Sequence, residues 1–103
     1  MIIINEENFA AEIEACDKLC VIDLYADWCM PCKMLAPIFA ELESEYENVK
    51  FCKINVDESP KLASLFHVES IPMVAIVKNS TFVDMSIGLV PKEALKKLID
   101  TNL

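Results

Sequence analysis

Two cysteines three residues apart, Cys29 and Cys32, lie at the junction between an apolar segment and an amphipathic one. The residues before them, 19–26, are apolar and partly β-branched, over a length typical of a buried strand. In the residues after them, apolar side chains recur at helical spacing: Leu35, Ile38, Phe39 and Leu42. Residues i and i+3 of a first helical turn share one face, with Cβ atoms roughly 5–6 Å apart. A small contraction reaches the roughly 3.5–4.5 Å of a disulfide, so the pattern predicts a dithiol that opens and closes with little backbone motion.

The start of the predicted helix also sets the chemistry of the two thiols. Unpaired backbone N–H groups and the positive end of the helix dipole stabilise a thiolate there, which makes it nucleophilic near neutral pH. Cys29, at the cap, is predicted to be the exposed thiol that attacks, and Cys32, one turn further on, the shielded thiol that acts second. Pro31 suits the first helical turn, because the N–H that proline lacks would have no helical partner there.

The composition excludes some classes of partner. Nine basic against 17 acidic residues give a net charge of −8, which argues against nucleic acid or an anionic membrane. Five cysteines are not the even-numbered framework of a small secreted domain. Residues 1–7 lack the basic and apolar regions of a signal peptide, and no apolar run approaches the length of a membrane span. We therefore expect one cytoplasmic, monomeric domain over residues 1–103.

Apolar runs and helical periodicity alternate along the chain, with no repeat or linker between them. The runs predict five strands, over Met1–Ile4, Cys20–Tyr25, Val49–Val56, Met73–Val77 and Phe82–Ile87. Helices are predicted to begin near Asn5, Cys29, Ser59 and Pro91, with a kink at Pro37 in the second helix and a hairpin turn at residues 78–81. This order predicts an α/β fold in which helices cover both faces of a sheet.

Three further features bear on function. Asp23 is a carboxylate in an apolar strand, and it either points outward or is buried with a raised pKa suited to proton transfer. Lys53, in the third predicted strand, is either its charge partner or a side chain that extends to water. The Ile71-Pro72 bond precedes a strand, where a cis peptide would expose backbone for docking, although only about 5% of such bonds are cis.

Together these segments resemble the thioredoxin family in order and spacing over nearly the whole chain. The matching segments are Val21-Ile22-Asp23, Trp28-Cys29-Met30-Pro31-Cys32-Lys33, Ala36-Pro37, Lys53-Ile54-Asn55-Val56-Asp57, Ile71-Pro72 and Gly88. The resemblance implies a thioredoxin fold, with a central five-stranded mixed β-sheet flanked by four α-helices. It also implies a thiol–disulfide oxidoreductase that needs no cofactor of its own. A thioredoxin reductase, holding flavin and using NADPH, would recycle it.

The resemblance also implies roles for individual residues. Cys29 would attack a disulfide of a protein substrate, and Cys32 would resolve the mixed disulfide. Asp23 would assist the deprotonation of Cys32, with Lys53 tuning it. The docking surface would comprise Trp28, Met30, Pro31, Ile71, a cis Pro72 and Gly88.

The chain departs from the family pattern at several positions. Met30 stands where glycine is usual, and Met73 where threonine is common. His67, Ser70 and Ser80 replace glycines, which leaves Gly88 as the one glycine of the chain. These departures bear on the range of partners and on the redox potential, and they leave the catalytic set intact.

The other cysteines leave alternative functions open. Cys20 and Cys52 are expected to be buried, whereas Cys16, at a helix end, is open to exposure. Cys16 and Cys20 together with Cys29 and Cys32 offer four thiols for a metal, but no flexible loop joins the two pairs. The further alternatives are a binding module with incidental thiols and, among enzymes, a thiol oxidant or isomerase.

Overall fold

A five-stranded sheet forms the centre of the computed structural model, which describes residues 1–103. The strands are β1 (Ile2–Ile4), β2 (Leu19–Tyr25), β3 (Val49–Asn55), β4 (Met73–Lys78) and β5 (Thr81–Ile87). A π-helical turn (Ala10–Glu14) and the helices α1 (Met30–Glu43), α2 (Pro60–Leu65) and α3 (Lys92–Asn102) connect or follow them. The prediction of a mixed five-stranded sheet flanked by four helices is confirmed. No helix combines the length and the apolar character that crossing a membrane requires.

The strand order is β1-β3-β2-β4-β5, which puts β2 at the centre of the sheet, between β3 and β4. β1, β3 and β2 run parallel, whereas β4 is antiparallel to both β2 and β5. Because β2 and β4 are antiparallel, the end of β2 lies beside the start of β4, and Leu24 pairs with Met73. The chain that follows β2 therefore meets the chain that precedes β4.

The sheet separates two apolar layers. β2 is buried on both faces, which explains why its sequence is an almost continuous apolar run rather than an alternating one. One layer lies under the π-helical turn and α2 and contains Ile13, Ile22 and Phe66. The other lies under α1 and α3 and contains Phe39 and Ile99.

The predicted starts of α1 and α3 are confirmed. At the other two helices the structure differs in detail from the prediction. Asn5 Oδ1 accepts hydrogen bonds from the N–H groups of Glu7 and Asn8, so it stabilises the turn that leads into the short π-helical segment. Ser59 occupies the N-cap of α2 with Pro60 at the first helical position, but its side chain makes no capping hydrogen bond. α1 continues through Pro37 to its end at Glu43. The kink at Pro37 stays a prediction.

Three turn residues that are not glycine adopt a left-handed backbone conformation. Asn79 and Ser80, with φ of 51° and 63°, form the two-residue turn between β4 and β5, which confirms the predicted hairpin. His67, with φ of 54°, follows α2, where its N–H and that of Val68 bond to the carbonyls of Ser64 and Ala63. These two bonds form the Schellman motif that usually employs glycine at the position of His67.

Candidate active site

Cys29 and Cys32 form a disulfide at the N-terminus of α1. Cys29 is the N-cap residue, with extended backbone, and its Sγ accepts a hydrogen bond from the Cys32 N–H at 3.3 Å. The two Cα atoms are 5.2 Å apart, within the range of ordinary disulfides. The predicted placement of the pair at the start of the helix, with Pro31 in the first turn, is therefore confirmed.

The predicted exposure of Cys29 is wrong for this oxidised state. Cys29 is 4% exposed and Cys32 is 3% exposed, so exposure does not distinguish them. Ala26, Tyr25 and Ile71 pack around the pair, and the sequence did not specify these contacts. The two sulfurs differ instead in their hydrogen bonding. The backbone N–H of Cys32 points at the Cys29 sulfur and favours negative charge there.

The loop before β4 lies against the Cys29 sulfur. The Ile71-Pro72 bond is cis, as the resemblance implied, and the Ile71 carbonyl oxygen is 3.8 Å from Cys29 Sγ. The Pro72 carbonyl accepts a hydrogen bond from the Gly88 N–H at 2.8 Å, which joins this loop to the end of β5. Gly88 has φ of +89°, and a Cβ there would meet no atom within 4 Å, so backbone conformation rather than space requires glycine.

Trp28 lies on the surface beside the disulfide and is held by a residue for which the sequence indicated no role. Its side chain is 72% exposed, and its indole Nε1–H donates to Asp57 Oδ2 at 2.9 Å. The buried Asn55 in turn accepts from the Asp57 N–H through its Oδ1 at 2.9 Å. A shallow cavity of about 300 Å³ lies between Trp28 and Ile71. The one sequence signal that could have identified Asp57 is its place in the segment 53–57, which matches the family pattern.

The first turn of α1 adds exposed apolar side chains to the surface. Met30 is 63% exposed and Met34, one turn further on, is 54% exposed. Pro31 between the cysteines is exposed as well. The exposed side chains of Met30 and Met34 therefore add both apolar surface and volume at the start of α1.

Asp23 is buried in the middle of β2. It has no solvent exposure, and neither carboxylate oxygen has a hydrogen-bond partner. It pairs in register with Lys53 on β3 and Val74 on β4, on the sheet face that α1 and α3 cover. Burial raises the pKa of Asp23 from 3.8 to about 6, and the nearby positive charge of Lys53 opposes part of that increase. Of the two alternatives that the sequence left open, the buried one is correct.

Lys53 makes no ion pair with Asp23. Its ammonium lies over the ring of Tyr25, 4.5 Å from the ring centroid, in a cation–π contact. The charge remains close enough to Asp23 to act on its ionisation without direct contact. Lys53 therefore matches neither expectation fully, because its side chain is neither bonded to Asp23 nor freely solvated.

The four thiols of the metal-site alternative do not converge. Cys20 lies near the start of β2 and Cys29 follows the end of that strand, so the strand separates the two pairs. No group of three or more histidine, cysteine, aspartate or glutamate side chains is arranged to hold a metal ion.

Comparison with known proteins gives a consistent set of relatives. The thioredoxin family model matches residues 1–101. Thioredoxin 2 of Chlorobaculum tepidum is 39% identical over 100 residues, covering 96% of this chain and 92% of the relative. A thioredoxin of Chlamydia trachomatis is 40% identical over 100 residues, covering 97% and 96%. A thioredoxin of Bacillus subtilis is 38% identical over 100 residues, covering 96% and 94%.

Proposed function

This chain belongs to the thioredoxin family of thiol–disulfide oxidoreductases, and from that premise we propose that it reduces disulfides of partner proteins and is re-reduced by a thioredoxin reductase. In one cycle the Cys29–Cys32 dithiol gives two electrons and two protons to a substrate disulfide. The products are two substrate thiols and the Cys29–Cys32 disulfide. The observation that carries the proposal is this disulfide at the N-terminus of α1, with the Cys32 N–H directed at Cys29 Sγ.

Cys29 starts the reaction. Its thiolate attacks one sulfur of the substrate disulfide, a Cys29–substrate bond forms, and the other substrate sulfur leaves and takes a proton. The Cys32 thiolate then attacks Cys29 Sγ, which closes the internal disulfide and releases the second substrate sulfur. Support for this order comes from the cap position of Cys29, where the helix dipole and the Cys32 N–H favour a thiolate.

Asp23 serves as the base that assists deprotonation of Cys32, and Lys53 tunes it as a positioning residue. Support comes from the burial of the carboxyl and from its pKa of about 6, which suits exchange of a proton near neutral pH. Lys53 acts through its charge, because its ammonium lies over Tyr25 rather than on the carboxylate. Without that charge the pKa of Asp23 would be higher still.

Partners dock across the surface that surrounds the disulfide. Trp28 and Met30, the neighbours of Cys29 in the chain, offer exposed apolar side chains, and Pro31 lies between the cysteines. The loop with Ile71 and Pro72 offers backbone next to Cys29 Sγ. Gly88 bonds to that loop and carries no side chain, so it leaves room for a partner chain.

The test is a trapping experiment with two matched variants. Cys32→Ser should accumulate mixed disulfides with substrate proteins, because nothing resolves the Cys29 adduct. Cys29→Ser should accumulate almost none. Trapping by Cys29→Ser instead, or no reduction of insulin disulfides by the wild-type protein with NADPH and the thioredoxin reductase of its own organism, would show that the proposal is wrong.

Met30 limits the range of reductases that turn the protein over. It adds an exposed side chain where relatives of the family usually have glycine, next to the Cys29 sulfur. A misfit there costs about 1–3 kcal/mol, or roughly tenfold to a hundredfold in kcat/KM. Met30→Gly should recover part of that loss with a foreign reductase. Equal turnover of wild type and variant by foreign reductases, at measured redox potentials, would contradict this role.

The protein works as a monomer in the cytoplasm. Support comes from the net charge of −8, which opposes self-association, and from three cysteines that remain unpaired, as suits a reducing compartment. Sedimentation equilibrium of the reduced protein and fractionation of cells test the two statements. A dimer, or recovery outside the cytoplasmic fraction, contradicts the corresponding one.

A further inference from the structure

The thiols of Cys16 and Cys20 lie at the end of β2 that is remote from Cys29, and a third thiol, Cys52, is buried nearby in β3. Cys16 Sγ and Cys20 Sγ lie 3.8 Å and 3.6 Å from the same atom, the Lys18 carbonyl oxygen. Cys20 and Cys52 belong to one buried cluster, and Cys16 packs against that cluster from the surface. The two sulfurs therefore share one acceptor, and the neighbouring Cys16 thiol adds to the rise that burial causes in the pKa of Cys20.

Solvent reaches this group through Cys16. Its side chain is half-buried and lines a cavity of about 350 Å³ at the edge formed by β1 and β3. Lys50, which pairs in register with Cys20, lines the same cavity and donates from Nζ to the Glu12 carbonyl and carboxylate at 2.8 Å and 2.6 Å. The charge of the Lys50 ammonium lowers the pKa of Cys20 and of Cys52, but the larger effect of burial raises it.

Burial distinguishes the reactivity of the Cys20 and Cys52 thiols from that of Cys16. It raises the pKa of Cys20 to about 12 and that of Cys52 to about 11, so both stay protonated near neutral pH. Cys16 is the thiol that a soluble reagent meets first. The residues that carry Cys16 to the start of β2, 15–18, belong to no helix or strand and can adjust when a bond forms.

We propose that Cys16 and Cys20 are a second redox-active dithiol, which small disulfides such as glutathione disulfide oxidise to an intramolecular disulfide. Cys16 Sγ attacks one glutathione sulfur, forms a mixed disulfide and releases one glutathione as its thiolate, which takes up a proton. Cys20 Sγ then gives up its proton, attacks Cys16 Sγ and releases the second glutathione. The dithiol loses two electrons and two protons, and one glutathione disulfide becomes two glutathione molecules.

Cys20 rather than Cys52 closes the bond. Cys20 shares the Lys18 carbonyl with Cys16, and both residues lie at the end of β2 that is remote from Cys29. Cys52 lies in the middle of β3, paired with Ile2 on one side and Ile22 on the other. Cys20 is also paired on both sides, with Lys50 and Val77, so Cys16 is the residue that must move. Cys20 is the thiol within its reach, because the two sulfurs already share the Lys18 carbonyl.

The experiment uses the full chain with Cys29→Ser and Cys32→Ser, which leaves three thiols: Cys16, Cys20 and Cys52. The reduced protein is exposed to glutathione buffers of increasing glutathione disulfide fraction, and free thiols and intact mass are measured. Lysine-specific cleavage after Lys18 and Lys33 then separates Cys16, in fragment 1–18, from Cys20, in fragment 19–33. Because the active-site cysteines are absent, the result is independent of the proposed function.

We expect loss of two of the three thiols and an intact mass lower by two hydrogens, in protein that remains monomeric without reductant. Fragments 1–18 and 19–33 should stay joined until reductant is added. Adding Cys16→Ser, a change at the half-buried position, should abolish the linkage, whereas adding Cys52→Ser should preserve it. Circular dichroism and urea unfolding establish that each variant is folded.

Four other outcomes would overturn the proposal. Oxidation that stops at a stable glutathione adduct would show that Cys20 does not resolve it. A linkage of fragment 1–18 to fragment 51–53 would assign the second thiol to Cys52. Retention of all three thiols across the buffers, or linkage only between two chains, would show that no internal dithiol exists at this end of β2.

Discussion

The buried carboxyl of Asp23 lowers the stability of the fold at neutral pH, and the substitution Asp23→Asn measures by how much. Both oxygens lack partners, and burial raises the pKa of Asp23 from 3.8 to about 6. Since the folded pKa lies above the unfolded one, the fold disfavours the charged form. The cost is absent below the unfolded pKa, grows as pH rises between the two pKa values, and is constant above the folded one.

The magnitude follows from the two pKa values. A difference of about two units, at about 1.4 kcal/mol per unit, gives a full cost of about 3 kcal/mol. At about pH 4 roughly half a kcal/mol of this cost is already present, so it grows by about 2.5 kcal/mol between about pH 4 and about pH 8. The asparagine side chain of the variant is neutral at every pH and as polar as the protonated acid, so the change with pH isolates the charge.

The assay is urea unfolding of the oxidised wild type and of oxidised Asp23→Asn across this pH range. In oxidised protein the Cys29 and Cys32 thiols do not titrate, which removes their contribution. The advantage of the variant in unfolding free energy should increase by about 2.5 kcal/mol from about pH 4 to about pH 8. Asp27→Asn, which removes an exposed carboxylate nearby, should show a change of at most about 0.5 kcal/mol. A constant difference for Asp23→Asn would refute the reasoning, because it would mean that the carboxyl ionises equally easily in the folded and unfolded chain.

Substitutions at three further positions test backbone conformation and the docking surface. His67→Gly should raise the unfolding free energy by about 1 kcal/mol, since φ of 54° favours glycine, whereas His67→Ala should give no such gain; urea unfolding checks both. Gly88→Ala should lower the unfolding free energy by about 1–2 kcal/mol through φ of +89° alone, and an unchanged midpoint would contradict this. Asp57→Ala removes the 2.9 Å bond to the Trp28 indole, so kcat/KM with a thioredoxin reductase should fall about three- to tenfold. The anisotropy of Trp28 fluorescence should fall with it, and unchanged values of both would show that Asp57 does not hold the side chain.

Local sequence patterns predicted the elements around the active site well. The apolar run of β2 and the helical periodicity of α1 are long enough to identify each element, and the cap position of Cys29 follows from their junction. Glycine was not needed to predict the hairpin turn, because Asn79 and Ser80 lie between two apolar runs.

These local patterns could not predict contacts between segments that are far apart in the sequence. The direction of the Asp23 side chain depends on which sheet face α1 and α3 cover, and strand periodicity cannot settle this when both faces of β2 are buried. The low exposure of Cys29 depends on Ile71, which is 42 residues away. The hydrogen bond from Trp28 to Asp57 and the approach of Lys53 to Tyr25 likewise join different elements.

The antiparallel pairing of β2 with β4 also determines when the active site can form during synthesis. Cys29 leaves the ribosome 42 residues before Ile71, and β4 is complete only at Lys78. Pairings of this sequence separation form late, because the chain between them must first lose its freedom. We therefore expect a nascent chain arrested before β4 to carry an ordinary, slowly reacting dithiol. Rapid disulfide exchange should begin only when β4 has joined β2.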